Sequence, residues 1–409
     1  MNLKGSQKLI KTPNFTTASN LEVLILEGCT KLVDVHPLIG VLKSLKLLNL
    51  RDCKSLRSLS TKIGMESLKT IILSGCSSLV RFPEIDGKME RLKTLDLSGC
   101  YRLENLSENL QHAKFLEELD LSGTVIIEPP SFIFQFKNLK VLSFNGRKRP
   151  SYRLLSNLPS LFKVIQGRRT NPMARMLPLL SGLSSLRSLN LRDCNLCEGD
   201  IPRDISGLSS LWCLDLSGNN FISIPASLTR LSKLGCLILS NCNMCTLGEA
   251  DIPSDLSGLS SLIRLDLSGK NFITIPLALT QLSRLKLLKL SGCKMLKSLP
   301  ELPTSIEDVW LDGCSSLEVV ASPSKVCNLV GALPNSRKFY DDHYFDIMMP
   351  GSVIPEWFSQ QKSDSSVKIP LRKDSEWIGV ACCCIFVNKD ASRNNESIYC
   401  DGSIFRGRN

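Results

Sequence analysis

A chain of 409 residues exceeds what one ordinary compact core organises, so it holds either several domains or an elongated stack of repeats. Its composition, 43% hydrophobic with only 6% aromatic, makes Leu, Ile and Val the bulk of the apolar mass and excludes disorder as the dominant state. The formal charge of +11 is concentrated: eight basic residues and no acidic one fall within residues 147–185, leaving +3 elsewhere, so nucleic acid is not an expected partner.

At the N-terminus Met1, Leu3 and Ser6 fall into the slots of a repeat already under way, so the chain reads as beginning mid-repeat, as a fragment of a longer product with an apolar end. No signal-peptide stretch precedes Asn14, and the longest apolar run, Trp377 to Val387, is about half of the ~20 residues that a membrane helix needs. The expected location is therefore the cytoplasm, with the nucleus as a second compartment and no membrane partner.

The pattern LxxLxLxxC then recurs twelve times, opening at Leu21, Leu45, Leu68, Leu92, Leu116, Leu139, Leu186, Leu211, Leu234, Leu262, Leu285 and Ile306. Two leucines two residues apart point to one side of a short strand, and the residue between them points to the other. One coil cannot bury its leucines alone, so the coils stack and their strands form a parallel ribbon. The fold class is α/β: a leucine-rich-repeat solenoid over residues 1–320, with a curved parallel sheet. The ninth slot holds Cys in eight copies, and Thr124, Arg147, Asn219 and Lys270 in the others. These thiols read as small buried hydrophobes rather than as disulfide or metal partners.

Downstream of several strands a second apolar pair meets a proline, as in Leu79, Phe82 and Pro83 or Phe221, Ile224 and Pro225. Proline fixes its dihedral and removes a donor, which predicts short helical or irregular segments on the far side of each coil. Between Leu139 and Leu186 the step lengthens to 47 residues. The basic insertion at 147–185 reads either as a contact for an acidic partner or as a solvated loop with one degenerate coil around Leu154 to Leu161.

After Ser316 the repeat fades, and residues 321–409 carry alternating runs such as Val367, Ile369 and Leu371 that predict a small β domain. The Leu-Ser-Gly-Cys copies at 97–100 and 290–293, the stretch Ser298-Leu-Pro-Glu-Leu-Pro303, and Pro350-Gly-Ser-Val-Ile-Pro-Glu-Trp-Phe358 followed by Trp377-Ile-Gly379 resemble the C-terminal half of plant TIR-NB-LRR disease-resistance proteins. The resemblance implies that residues 321–409 are a partial jelly-roll-like post-LRR domain (C-JID), a β-sandwich, with Val353 where the family usually carries an acidic residue. It also implies recognition of a pathogen effector and restraint of the receptor's own nucleotide-binding domain. The NAD-cleaving TIR domain of such receptors is absent from this chain, as is any GxxxxGK[ST] phosphate loop.

The residue between the two core leucines of each strand gives the expected recognition column: Ile25, Asn49, Ile72, Asp96, Asp120, Ser143, Asn190, Asp215, Ile238, Asp266, Lys289 and Trp310. Its four aspartates either favour a basic partner or reflect a Leu-Asp-Leu-Ser consensus strand. Trp212, Ile238, Ile263 and Trp310 are expected to face water, with the two tryptophans as anchors unless the insertion or the β domain covers them. Trp357 and Phe358 read as core of the β domain or as ligand contacts. No cofactor, metal or catalytic centre is expected: the pairs Cys194/Cys197 and Cys242/Cys245 sit two coils apart, too far for one ion, and the histidines are scattered. The leading expectation is a non-catalytic recognition module of an intracellular immune receptor. The alternative is a truncated paralogue acting as adaptor or decoy for a full receptor.

Overall fold

In the computed structural model the described residues are 1–320, apart from 16, 60–61, 86–88, 127–129, 147–171, 243–254, 272, 276 and 318. Twelve three-residue strands, from Val23–Ile25 to Asp308–Trp310, form one parallel sheet in strict chain order. The middle residue of every strand, from Leu24 to Val309, is buried, and its two neighbours are partly or fully exposed. That alternation is the period of two read from the leucines.

Strands this short close no hydrogen bonds of their own, so each leans on the next coil. Leu26 donates its amide to the Asn49 carbonyl at 2.7 Å and Leu50 to Ile72 at 2.8 Å. The bonding continues through the following turn, where Gly28 donates to Arg51 at 2.8 Å and Gly75 to Ser98 at 2.7 Å. The eighth slot lies in that turn and has a left-handed backbone in most copies: φ is +73° at Gly28 and +72° at Gly99. Where glycine is missing, Asp52, Asp193 and Asn241 adopt φ of 57°, 54° and 54°. Only glycine, or a short side chain able to bond locally, accepts this conformation at low cost, which explains why the slot admits just Gly, Asp and Asn.

The long step does not disturb the ribbon. Val141 is registered against Ser188 and Ser143 against Asn190 across the 47-residue interval. The degenerate coil expected around Leu154 to Leu161 lies outside the described residues. The remainder of the insertion is helical, Pro172–Met176 and Leu177–Gly182, with Leu177, Leu180 and Leu183 buried. The partial copy at the N-terminus joins the same register: Asn2 bridges Ile25, and Leu3 donates to the Ile25 carbonyl at 2.8 Å.

The far side of the coils is made of short 3-10 turns such as Pro37–Val41, Ser131–Gln135 and Ala226–Arg230. Pro225, with φ of −59°, stands at the entry to the last of these. Among the described residues no helix is long and apolar enough to cross a membrane.

The ninth slot forms a second ladder inside the stack. The Cys53 thiol donates to the Leu26 carbonyl at 3.2 Å, Cys76 to Leu50 at 3.1 Å, Cys100 to Leu73 at 3.2 Å and Cys314 to Leu290 at 3.1 Å. Each thiol thus adds a second donor to a carbonyl of the preceding coil, which also accepts a backbone amide of its own turn. Burial pushes Cys53, Cys100 and Cys194 up to about 12, so they remain thiols and donors at any physiological pH. Asn219 performs the task twice over, donating to Leu191 at 2.9 Å and Leu216 at 2.8 Å while its carbonyl oxygen accepts the Leu196 amide at 3.0 Å. Thr124 bonds only within its own coil, to Leu121 at 2.8 Å.

Lys270 breaks the rule. It is 1% exposed, and its ammonium nitrogen has no full hydrogen-bond partner. Loss of water pulls its pKa below the ordinary lysine value, and the nearby Cys242 sulfur, a weak acceptor, only partly offsets this. Below the depressed pKa the charged form is buried at a cost. Above it the folded state binds fewer protons than the unfolded chain, so stability rises with pH until the ordinary lysine value is reached. Urea titrations of the full chain should show that rise, and Lys270→Asn should abolish it while adding about 1–3 kcal/mol at neutral pH. In the same assay Cys76→Ala is expected to cost about 1–3 kcal/mol, through lost packing and the lost thiol bond to the Leu50 carbonyl, which keeps the Cys53 amide as its other donor.

Candidate functional site

The sheet face opposite the leucines is built from three parallel columns. One is the expected column from Ile25 to Trp310, the third residue of each strand. A second comes from the first residue of each strand, which alternation points the same way: Val23, Leu47, Thr70 and onward to Cys213, Cys236, Arg264, Leu287 and Asp308. The third is the residue just before each strand. It was legible by the same rule of registered positions, but only by comparing copies with one another rather than leucines within a copy.

The aspartates of the first column are turn formers. Asp96 accepts the Ser98 amide at 3.0 Å and its hydroxyl at 2.6 Å, and Asp215 accepts the same two groups of Ser217 at 2.9 and 2.6 Å. Asp120 and Asp266 accept the amides two residues on at 2.8 and 2.9 Å. Asn49 and Asn190 do likewise to Arg51 and Arg192. These residues hold the chain as it leaves the strand, which accounts for Leu-Asp-Leu-Ser without a ligand. Ile25, Ile72 and Ile238 are half-buried in this column.

The third column is charged at both ends, with lysines and an arginine interspersed with three glutamates. Lys46 meets Glu22 at 2.6 Å, Lys93 and Lys140 clasp Glu117 at 2.7 and 2.5 Å, and Lys286 meets Glu307 at 2.6 Å. Hydrogen bonds from Lys140 and Lys93 hold Glu117 down at about 2. Such exposed pairs add little stability but mark much of the column as solvated.

Between the charged stretches the column turns apolar, with Trp212, Gly235 and Ile263 on three successive coils. Trp212 is 48% exposed, and its indole lies over Gly235: a side chain added there would meet the indole nitrogen and ring. Gly235 is thus the seat on which the ring lies flat. Ile238 and Ile263 are half-buried beside it, and Cys213 and Cys236 occupy the adjoining column. Trp310, 46% exposed, ends the ribbon with the Lys289 ammonium 3.9 Å from its ring centroid, a cation–π contact. These two apolar centres, one in the middle of the ribbon and one near its end, are the exposed aromatic features of the sheet face. Trp357 and Phe358 lie outside the described residues.

Other features are structural. His36 accepts the Leu38 amide at the start of a 3-10 turn, and Cys197 bonds Asp200 at 3.2 Å rather than approaching Cys194, which donates to the Phe144 carbonyl at 2.9 Å. Among the described residues no group of three or more His, Cys, Asp or Glu is arranged to hold a metal ion.

Comparison with known proteins agrees with this architecture. The Leucine Rich Repeat family model matches residues 185–208 and 210–231. TMV resistance protein N of Nicotiana glutinosa is 28% identical over 94% of this chain and 34% of its own length. Disease resistance-like protein DSC1 of Arabidopsis thaliana is 30% identical over 95% of the chain and 27% of its own length, and disease resistance protein RPP2B of the same plant 29% over 100% and 35%. The repeat region is homologous to plant disease-resistance proteins, and the chain spans about a third of the length of these relatives. Among solved structures, a leucine-rich-repeat protein of Leptospira interrogans aligns with a TM-score of 0.43 at 21% identity, covering 85% of this chain and 95% of that one.

The seat under Trp212 can be tested directly. Gly235→Ala should lift the indole off the sheet, raising acrylamide quenching of the Trp212 contribution, measured as the difference from a matched Trp212→Phe protein. The displaced group is a mobile ring, so the cost in stability is expected to stay within about 1 kcal/mol.

Proposed function

We propose that this chain is the recognition region of an intracellular plant immune receptor of the TIR-NB-LRR type. Its sheet face binds a protein ligand, a pathogen effector, and in an intact receptor the same solenoid contacts the receptor's own nucleotide-binding domain and restrains it. Residues 321–409 contribute a jelly-roll-like post-LRR domain to the same task, and the site of action is the cytoplasm and nucleus. The chain works by binding alone, without catalysis or cofactor.

One observation carries the reading: an exposed tryptophan laid flat on a glycine in the middle of the sheet face, flanked by half-buried isoleucines and bounded by solvated ion pairs. An exposed tryptophan is a strong anchor for a partner, and a polar rim around an apolar centre is the anatomy of a protein interface. The homology of the repeat region to disease-resistance proteins supports the reading as a recognition surface for a protein. The turn-forming aspartates are not assigned to the interface; Trp212, Ile238, Ile263 and Trp310 are.

The test is capture of a panel of secreted pathogen proteins on the full chain, followed by calorimetry on those retained. Trp212→Ala is expected to weaken binding at least tenfold and Trp310→Ala by a smaller factor, while Glu22→Gln, far along the ribbon, leaves it unchanged. Equal affinity of the wild type and a Trp212→Ala/Trp310→Ala double variant would overturn the assignment of the anchors.

A further inference from the structure

Eleven cysteines lie in the described part: eight in the ninth slot, the pair Cys213 and Cys236, and Cys197. Those of the ninth slot face the core and are spent on carbonyls of neighbouring coils. Cys213 and Cys236 are different. Each is the first residue of its strand, on the open sheet face, and the two are directly registered on adjacent strands. Both are half-buried and neither is disulfide-bonded.

Neighbouring strands are about 4.8 Å apart, within the roughly 4.4–6.8 Å between α-carbons that a disulfide spans. Both side chains leave the sheet on the same side, from directly registered positions of adjacent parallel strands. On the far side of Cys213 the registered residue is Ser188, and on the far side of Cys236 it is Arg264. We propose that Cys213 and Cys236 are a peroxide-reactive dithiol that closes to a cross-strand disulfide on the open face of the ribbon.

The surroundings assign the roles. The neighbouring Cys236 thiol, with smaller help from Ser188 and Arg264, holds Cys213 below the ordinary thiol value against burial and the Asp215 charge. Cys236, beside that sulfur and partly desolvated, is pushed up. Cys213 is therefore the attacking thiolate and Cys236 the resolving thiol. The Cys213 sulfur attacks a hydroperoxide: an S–O bond forms, the O–O bond breaks, and hydroxide or alkoxide leaves and is protonated. Cys236 then attacks the sulfenic sulfur, the S–S bond forms, and the S–O bond breaks. The departing hydroxide takes the Cys236 proton away as water. Two electrons pass from the two sulfurs to the peroxide, and a dithiol reductant returns them.

Cys197 provides an internal comparison. It is more exposed than either member of the pair, but burial and the hydrogen bond with Asp200 push its pKa up. Accessibility alone would oxidise Cys197 first; the dithiol reading reverses the order.

The experiment exposes the reduced full chain to stoichiometric hydrogen peroxide, quenches by alkylation under denaturing conditions and maps peptides by mass spectrometry. The expected result is a Cys213–Cys236 linkage forming at least tenfold faster than modification of Cys197, reversed by dithiothreitol, with the ninth-slot thiols still alkylated. Cys236→Ser should halt the reaction at a sulfenic acid on Cys213 that dimedone traps, and Cys213→Ser should leave Cys236 reduced. Oxidation of Cys197 ahead of the pair would overturn the proposal. So would free alkylation of both Cys213 and Cys236 after the peroxide is consumed, or their linkage to other cysteines. The wild-type measurement depends on no variant folding.

Discussion

The whole molecule depends on the inability of a three-residue strand to complete itself. Each strand has one buried side chain and no internal backbone bonds, so its amides and carbonyls are satisfied only by the coil before and the coil after. The backbone ladder through Leu26, Leu50 and their successors, and the thiol ladder through Cys53, Cys76 and Cys100, are the two rails of that dependence. Both require every coil to keep the same register, and the left-handed eighth slot is what turns the chain out of the sheet at the same point each time. Placement of the surface columns follows from this without further instruction. A residue's column is fixed by its offset from the leucines, and its neighbours are the residues at that offset one coil away.

The elements set by spacing within a copy were legible in the sequence for that reason. Leu24, Cys29 and their eleven later counterparts announce a strand and an inward slot by a local period, which needs no knowledge of the next coil. What depends on the partner coil was harder to read. Asp96 and Asp215 look like a ligand-facing charge until the serine two residues on is seen to occupy the carboxylate. Gly235 looks like an unremarkable gap until Trp212, one coil earlier, is laid across it. Lys270 sits in a slot that predicts burial and a partner, and finds burial with only a sulfur for company.

The same distinction separates structure from binding on the sheet face. The aspartates of the central column each use one carboxylate oxygen in ending their own strand. The apolar residues carry no such duty. Trp212 and Trp310 stand about half exposed, Ile238 and Ile263 are half-buried, and the Trp212 ring occupies space that a side chain at Gly235 would fill.

The registry of Val141 with Ser188 has a further meaning for how such chains vary. Because the strands dock directly although 47 residues separate the starts of their copies, the length of chain between two coils is decoupled from the spacing of the coils themselves. The pitch of the ribbon is thus set by the register of the strands and not by the number of residues that join them.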